Sequence, residues 1–194
     1  MSKRRAETRA RLVDAAFEVF VARGFDRTTI EEVCAVAGYT RGAFYSNFER
    51  LDELFFALYE HKAAAIAASV EEALAAPARD RMEAAARVVD ALPLDRAWAL
   101  VRIDFLRYAA RHPEVLARWQ QHQDDLRSLL ASRLGPSSAA LGAPVPSLGP
   151  EWIARAAIVL YHGVMDLVLI GSDSVDGRRL LTELLVAVLD AASG

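Results

Sequence analysis

The stretch Thr28–Phe48, TTIEEVCAVAGYTRGAFYSNF, constrains this chain more than any other. Thr28 and Thr29 precede an apolar pattern of Ile30, Val33, Cys34, Val36 and Ala37. A threonine there caps a helix through its hydroxyl, and Glu32, three residues after Thr29, has the spacing of a capping box. Glu31 and Glu32 lie in the first turn, where the helix dipole favours negative charge. Gly38 follows the last apolar residue, where a left-handed backbone stops a helix. Tyr39 leads to Thr40, which caps a second helix over about Thr40–Ser46. A helix so short is marginal alone, so packing must hold it, and Phe44 and Phe48 supply an apolar face.

The other face carries Thr40, Arg41, Gly42, Ala43, Tyr45 and Ser46. Small residues let a helix sit deep in a groove, and hydroxyls with a guanidinium bond to phosphates or base edges. On these residues alone, a solvated helix face and a DNA-reading face stand level. The flanks tip the balance. Thr8–Arg23 is amphipathic, with Leu12, Ala16 and Phe20 at four-residue steps and Val13 and Phe17 beside them. Gly24 ends that helix and Phe25 is an apolar anchor directly after it. Leu51, Leu54, Phe55 and Leu58 begin a further amphipathic helix. The order is long helix, short helix, turn, short helix, long helix, which is the layout of a helix-turn-helix.

On Ala15-Ala16, Phe20, Gly24, Thr28-Thr29-Ile30, Val33, Ala37-Gly38, Gly42, Phe44-Tyr45, Phe48 and Asp52-Glu53-Leu54, the sequence resembles the TetR family of bacterial transcription regulators. The match covers roughly the first 55 residues in the family's order and spacing; the rest resembles the family in length and helical pattern. The resemblance implies an all-α fold. Residues 1–50 would form a three-helix, helix-turn-helix DNA-binding head, and residues 51–194 a helical effector-binding and dimerisation domain. DNA contacts are expected from Thr28, Thr29, Tyr39, Thr40, Arg41, Gly42, Ala43, Tyr45, Ser46 and Asn47. Two positions depart from the family pattern. Leu51 stands where a phosphate-contacting lysine is usual, and Arg50 beside it is the candidate replacement, although one residue along a helix turns by about 100°. Asn47 stands where histidine is common and retains the capacity to bond phosphate.

Net charge is −3, an unusual sign for a DNA binder, but the charge is unevenly placed. Residues 1–50 hold nine Lys/Arg against seven Asp/Glu; residues 51–194 hold fourteen against nineteen. The basic part therefore coincides with the reader. Lys3, Arg4 and Arg5 are expected in a mobile arm, either reaching phosphates or merely solvated. No apolar run has the length of a membrane span and no signal core follows the N-terminal charges, so a soluble, cytoplasmic protein is expected. The lone Cys34 sits on an apolar helix side and reads as a buried, inert thiol.

The remainder reads as helices: 51 to about 75, 80–92, about 94–111, 114–134, 150–170 and about 176–192, with a Pro-, Ser- and Gly-rich loop over 135–149. The helix opening at Pro150 is apolar nearly all round and must be covered all round. Pairing with a second copy solves this, giving a four-helix bundle on a two-fold axis. Expected interface residues are Ile153, Leu160, Val164, Leu167, Leu181, Leu184, Leu185 and Val188, with Gly163 as a point of close approach. Two-fold symmetry would set the two readers about 34 Å apart, one turn of the duplex.

The resemblance also implies a pocket among the middle helices. Its candidate lining is Trp98, Arg102, Phe105, Tyr108, Trp119 and His122, an aromatic wall with a few polar groups; for each residue singly, ordinary core is the commoner role. His61, His112, His122 and His162 are scattered without metal-ligand spacing, and no phosphate loop or nucleophile motif is present. No metal, cofactor or catalytic residue is expected, and the chain is read as a non-enzyme. The expected function is a homodimeric regulator, a repressor released from its double-stranded DNA operator by a small-molecule effector. The alternative is a dimeric DNA-binding protein without an effector.

Overall fold

The computed structural model describes residues 3–140, 149–171 and 173–193, and the side chains of 3–132, 149–171 and 173–191. Among these the regular structure is helical: α1 (Lys3–Arg23), a short 3-10 turn (Phe25–Arg27), α2 (Ile30–Ala37), α3 (Arg41–Tyr45), α4 (Leu51–Ala75), α5 (Arg81–Asp90), α6 (Arg96–Ala109), α7 (Pro113–Ala140), α8 (Pro150–Leu169) and α9 (Ser174–Ser193). Two expectations need correction. The supposed arm Lys3-Arg4-Arg5 is the first turn of α1. The loop expected from residue 135 is helical to Ala140, and its remainder, 141–148, lies outside the described residues.

The chain divides into two compact units: Met1–Ala64 with Leu100–Leu116, and Ala65–Ala99 with Ala117–Gly194. The first unit is built on aromatic side chains. Phe20 of α1, Phe25 of the 3-10 turn, Phe55 of α4 and Phe105 of α6 are all buried. Phe105 stacks on Phe55, with centroids 3.5 Å apart, and Phe25 meets Phe105 edge-on at 5.1 Å. Each such ring contributes roughly 1.5–3 kcal/mol by burial, so the cluster is a large contribution to the unit's stability.

Gly24 makes the cluster geometrically possible. Its φ of 80° and ψ of 155° belong to a region that only glycine adopts readily. A Cβ there would also lie 2.4 Å from Oδ2 of Asp104. That same oxygen accepts the Phe25 N–H at 3.1 Å. Arg107, one turn further along α6, bonds Asp26 at 2.6 Å. The turn after α1 is thus tied to α6 by a buried ring and two polar contacts. Gly38 differs: it has φ 72° and ψ 30°, the ordinary left-handed helix stop, with open space around it.

In the second unit α9 packs against α8 and α5. Gly177 of α9 allows the approach, since a Cβ there would be 3.1 Å from Val164 of α8. Arg178 Nη1 donates to the Val89 and Leu92 carbonyls at 2.7 and 3.2 Å, at and just beyond the C-terminal end of α5. Arg81 closes the other flank with a 2.6 Å bond to Asp190.

α8 corrects a further expectation. By length and composition, with mean hydropathy 1.5, Pro150–Leu169 is long and apolar enough to cross a membrane, and 28% of its apolar window is buried in the single chain. Arg155 and Asp166 interrupt its apolar run, yet the surrounding residues keep the mean high.

The contrast between the two glycines is measurable. Gly24→Ala is expected to cost about 3 kcal/mol or more, combining backbone strain with displacement of Asp104. Gly38→Ala should cost about 1–2 kcal/mol. Thermal denaturation followed by circular dichroism separates them; equal losses would contradict the tie between Gly24 and Asp104.

Candidate nucleic-acid interface

The reader is assembled by caps. Thr29 Oγ1 accepts the Glu32 N–H at 3.2 Å, while Glu32 Oε2 accepts the Thr29 N–H at 3.0 Å, completing the box expected from the sequence. Gly38 then reverses the chain, and its N–H bonds back to the Ala35 carbonyl at 3.3 Å. Thr40 Oγ1 accepts the Ala43 N–H at 3.3 Å and opens α3. The helix is pinned from below by Phe44, whose exposure is 0%. Phe44 contacts Phe48, and the Arg9 guanidinium lies 5.1 Å above the Phe48 ring. Arg5 donates to the Ser46 carbonyl at 2.8 Å, so α1 also holds the far end of α3.

The outward side of α3 carries Arg41, Gly42, Tyr45 and Ser46, all exposed, with Thr40 at its entrance. Tyr39 and Ala43 are half-buried beside them. Arg41 Nη1 lies 2.9 Å from Oε1 of Glu31 on α2, and its guanidinium sits 5.9 Å from the Tyr45 ring centroid. Hydrogen bonding to Tyr45, then the charge of Glu31, raise the guanidinium's pKa further, so it stays charged.

Three of the expected contact residues are committed elsewhere. Thr28 is buried, 7% exposed, and its hydroxyl donates to the Gly24 carbonyl at 2.9 Å. Thr29 spends its hydroxyl on Glu32. Asn47 is half-buried and its amide donates to the Ala43 carbonyl at 2.8 Å. Thr28 and Asn47 thus turn their polar groups to the chain itself, whereas Thr29 stays exposed with its hydroxyl bonded to Glu32. Arg50, considered as a stand-in for a lysine at 51, is held by Asp52 at 2.9 Å and lies 3.8 Å from Glu114. Cys34 is buried as expected, and burial pushes its thiol pKa up.

The expected pocket residues divide between the units. Arg102, Phe105 and Tyr108 belong to the first; Trp98, Trp119 and His122 belong to the second. Trp98, Arg102, Phe105 and Trp119 are buried, and Tyr108 and His122 partly so. Phe105 is core of the aromatic cluster, which corrects its assignment as a pocket wall. A cleft of about 500 Å³ does open in the first unit, lined by Phe25, Thr28, Ile30, Arg50, Leu51, Tyr108, Arg111 and His112 among others. Of the six expected lining residues Tyr108 alone borders it. The rest were not legible in the sequence because they come from three separate segments, 25–30, 49–52 and 108–112. Among the described residues no group of His, Cys, Asp and Glu could hold a metal ion.

The expected interface residues also sort by burial. Ile153, Val164 and Leu181 are buried inside their own chain, so they have no surface left for a partner. Of the expected interface residues on α8, Leu167 is exposed and Leu160 half-buried in the single chain. The outward face of α8 carries Trp152 at 45% exposure, Val159 at 62%, Gly163 and Leu167. Leu184, Leu185 and Val188 of α9 are half-buried.

Residues 12–58 match the family model described as bacterial regulatory proteins, tetR family. An HTH-type transcriptional repressor of Mycobacterium tuberculosis is 27% identical over 129 residues, 66% of this chain and 65% of that protein. The regulator SrpR of Pseudomonas putida is 52% identical over 42 residues, 22% of this chain and 20% of its own length. The chain therefore matches less than two thirds of either relative. Among solved structures, a TetR-family regulator from Streptomyces coelicolor superposes with TM-score 0.66 at 21% identity, covering 97% of each chain. A complex of SmeT with triclosan superposes with TM-score 0.71 at 26% identity, covering 97% of this chain and 92% of that one.

The capping box carries a pH signature. Hydrogen bonds from Thr29, first from its N–H and then from its hydroxyl, hold the Glu32 carboxyl below its usual value of 4.5. A lowered folded pKa stabilises above the unfolded value and the gain is lost as pH falls through the folded one. Thr29→Ala should therefore cost about 1 kcal/mol at neutral pH, and less once pH falls below 4.5. Urea denaturation at pH 7 and at about pH 3 tests this; a cost that does not shrink in acid would remove the hydroxyl–carboxylate bond from the box.

Proposed function

We propose, from the match of residues 12–58 to the tetR family model and the likeness to a transcriptional repressor, that the chain is a TetR-family homodimeric repressor that binds a double-stranded DNA operator and leaves it when a small molecule binds. The observation that carries this reading is α3: a capped helix whose Phe44 is fully buried while Arg41, Gly42, Tyr45 and Ser46 face outward. Residues 1–50 serve as the DNA-binding part, with Thr40, Arg41, Gly42, Tyr45 and Ser46 entering the major groove and Tyr39 and Ala43 at its margin. Residues 51–194 serve dimerisation and effector binding.

The apolar outward face of α8 supports the dimer. Trp152, Val159 and Leu167 stand exposed in the single chain, a patch that a second copy would cover. Gly163 has no side chain and open space above it, so a partner helix can come close. A pair of readers on a two-fold axis then meets two half-sites about 34 Å apart.

Effector control rests on α4, which runs from the reader's exit at Leu51 to Ala75 and contributes residues to both compact units. A ligand that favours one setting of this helix opposes DNA binding by a coupling free energy of typically ~1–3 kcal/mol. That SmeT has been captured with triclosan supports looking for such a ligand here. The competing reading, a dimer without an effector, predicts no ligand-induced stabilisation. Thermal shift against a varied small-molecule library separates the two, because a ligand bound to the native state raises its stability by mass action.

Fluorescence anisotropy on DNA flanking the chain's own gene tests the primary reading. Binding should be sequence-dependent and weaken steeply with salt. Arg41→Ala should lower affinity at least tenfold while helicity and dimerisation persist; unchanged affinity would remove Arg41 from the interface. Val159→Glu should shift the chain toward monomer in sedimentation velocity and weaken DNA binding with it. A stable dimer in that variant would place the interface elsewhere.

A further inference from the structure

Arg41, the exposed guanidinium of the reading helix, does not stand by itself. Its Nη1 is 2.9 Å from Glu31 Oε1, and its far side lies against the Tyr45 ring. Glu31 is itself exposed and belongs to α2, on which α3 is packed. A carboxylate on the DNA side of a reader is costly near phosphates. It repels them, and any phosphate that draws Arg41 away must also break the pair. Glu31 is not required to cap α2, since Glu32 performs that task through Thr29. Its charge in the first turn suits the helix dipole, but that does not account for its contact with Arg41.

Guanidinium geometry supplies one. With Nη1 engaged by Glu31, the Nε and Nη2 groups present two parallel N–H donors along one edge once the hydrogen bond to Tyr45 is given up. That edge matches two acceptors side by side, which in the major groove are guanine N7 and O6. A phosphate also accepts two such bonds, but brings its charge toward Glu31; a guanine edge is neutral. We propose that Glu31 is a specificity-determining positioning residue: it holds Arg41 for a guanine in each half-site and discourages its use on phosphate. This rests on the DNA-binding reading above. The ion pair is exposed, so it is weak and biases Arg41 without locking it.

The test uses the full chain. Duplexes are selected from a randomised library with the unaltered protein, and affinities for the selected site, its guanine-substituted versions and a random duplex are measured by anisotropy across salt concentrations. Four proteins are compared: unaltered, Glu31→Gln, Arg41→Ala and the double variant, each checked for helicity. Glu31→Gln should bind the random duplex about 3- to 10-fold more tightly, with a salt slope steeper by about one per protomer. Its preference for guanine at one half-site position should fall by a similar factor. In the Arg41→Ala background the same change should leave the ratio of selected to random affinity unaltered. If Glu31→Gln changes both affinities by one common factor, or acts equally without Arg41, Glu31 contributes only general charge and the proposal is overturned. If the unaltered protein enriches no sequence, the DNA-binding reading fails first and this inference with it.

Discussion

A helix of five residues cannot hold itself in water, because nucleation costs more than one turn of hydrogen bonds returns. α3 is such a helix, and the burial of Phe44 keeps it in place. From that single inward ring the outward geometry follows. Arg41, Gly42, Tyr45 and Ser46 face away because Phe44 faces in. Thr40 starts the helix, Arg5 takes the carbonyl of Ser46, and Arg9 covers Phe48. So short an element, if it is to read DNA as proposed, depends on rigidity borrowed from α1 and α2.

The first unit is completed by a segment far away in the chain. Phe105 and Asp104 of α6 enter beside Gly24 and Phe25, 79 residues earlier for the Phe25–Asp104 bond. Phe105 supplies a ring to the core, and Asp104 supplies an acceptor to a backbone N–H that would otherwise be orphaned. A helix attached to the turn before the reader can transmit its own displacement to that turn. This is the sort of discrete, packed contact through which coupling between distant sites is carried.

The second unit shows how an apolar helix divides its faces. α8 spends Ile153, Val164, Met165 and Val168 on its own chain and leaves Trp152, Val159 and Leu167 outward. Close approach within the chain is made at Gly177, whose absent Cβ admits Val164. Gly163, the glycine that sequence singled out, remains open to whatever covers that face.

Local features were legible from the residues alone. The capping box at Thr29 and Glu32, the stop at Gly38, the Thr40 cap, the buried Phe44 and the all-helical pattern each depend on neighbours within a few positions, so spacing suffices to specify them. Other features required the folded chain. Which side of α8 is inward, why Thr28 is buried, what holds Arg50, where a cleft opens, and that Phe105 belongs to the head's core are settled by contacts between residues tens of positions apart. Sequence periodicity fixes that a helix has an apolar face and how wide it is. It carries no information on which neighbour that face meets, because the energy of burial is non-directional and any apolar partner satisfies it.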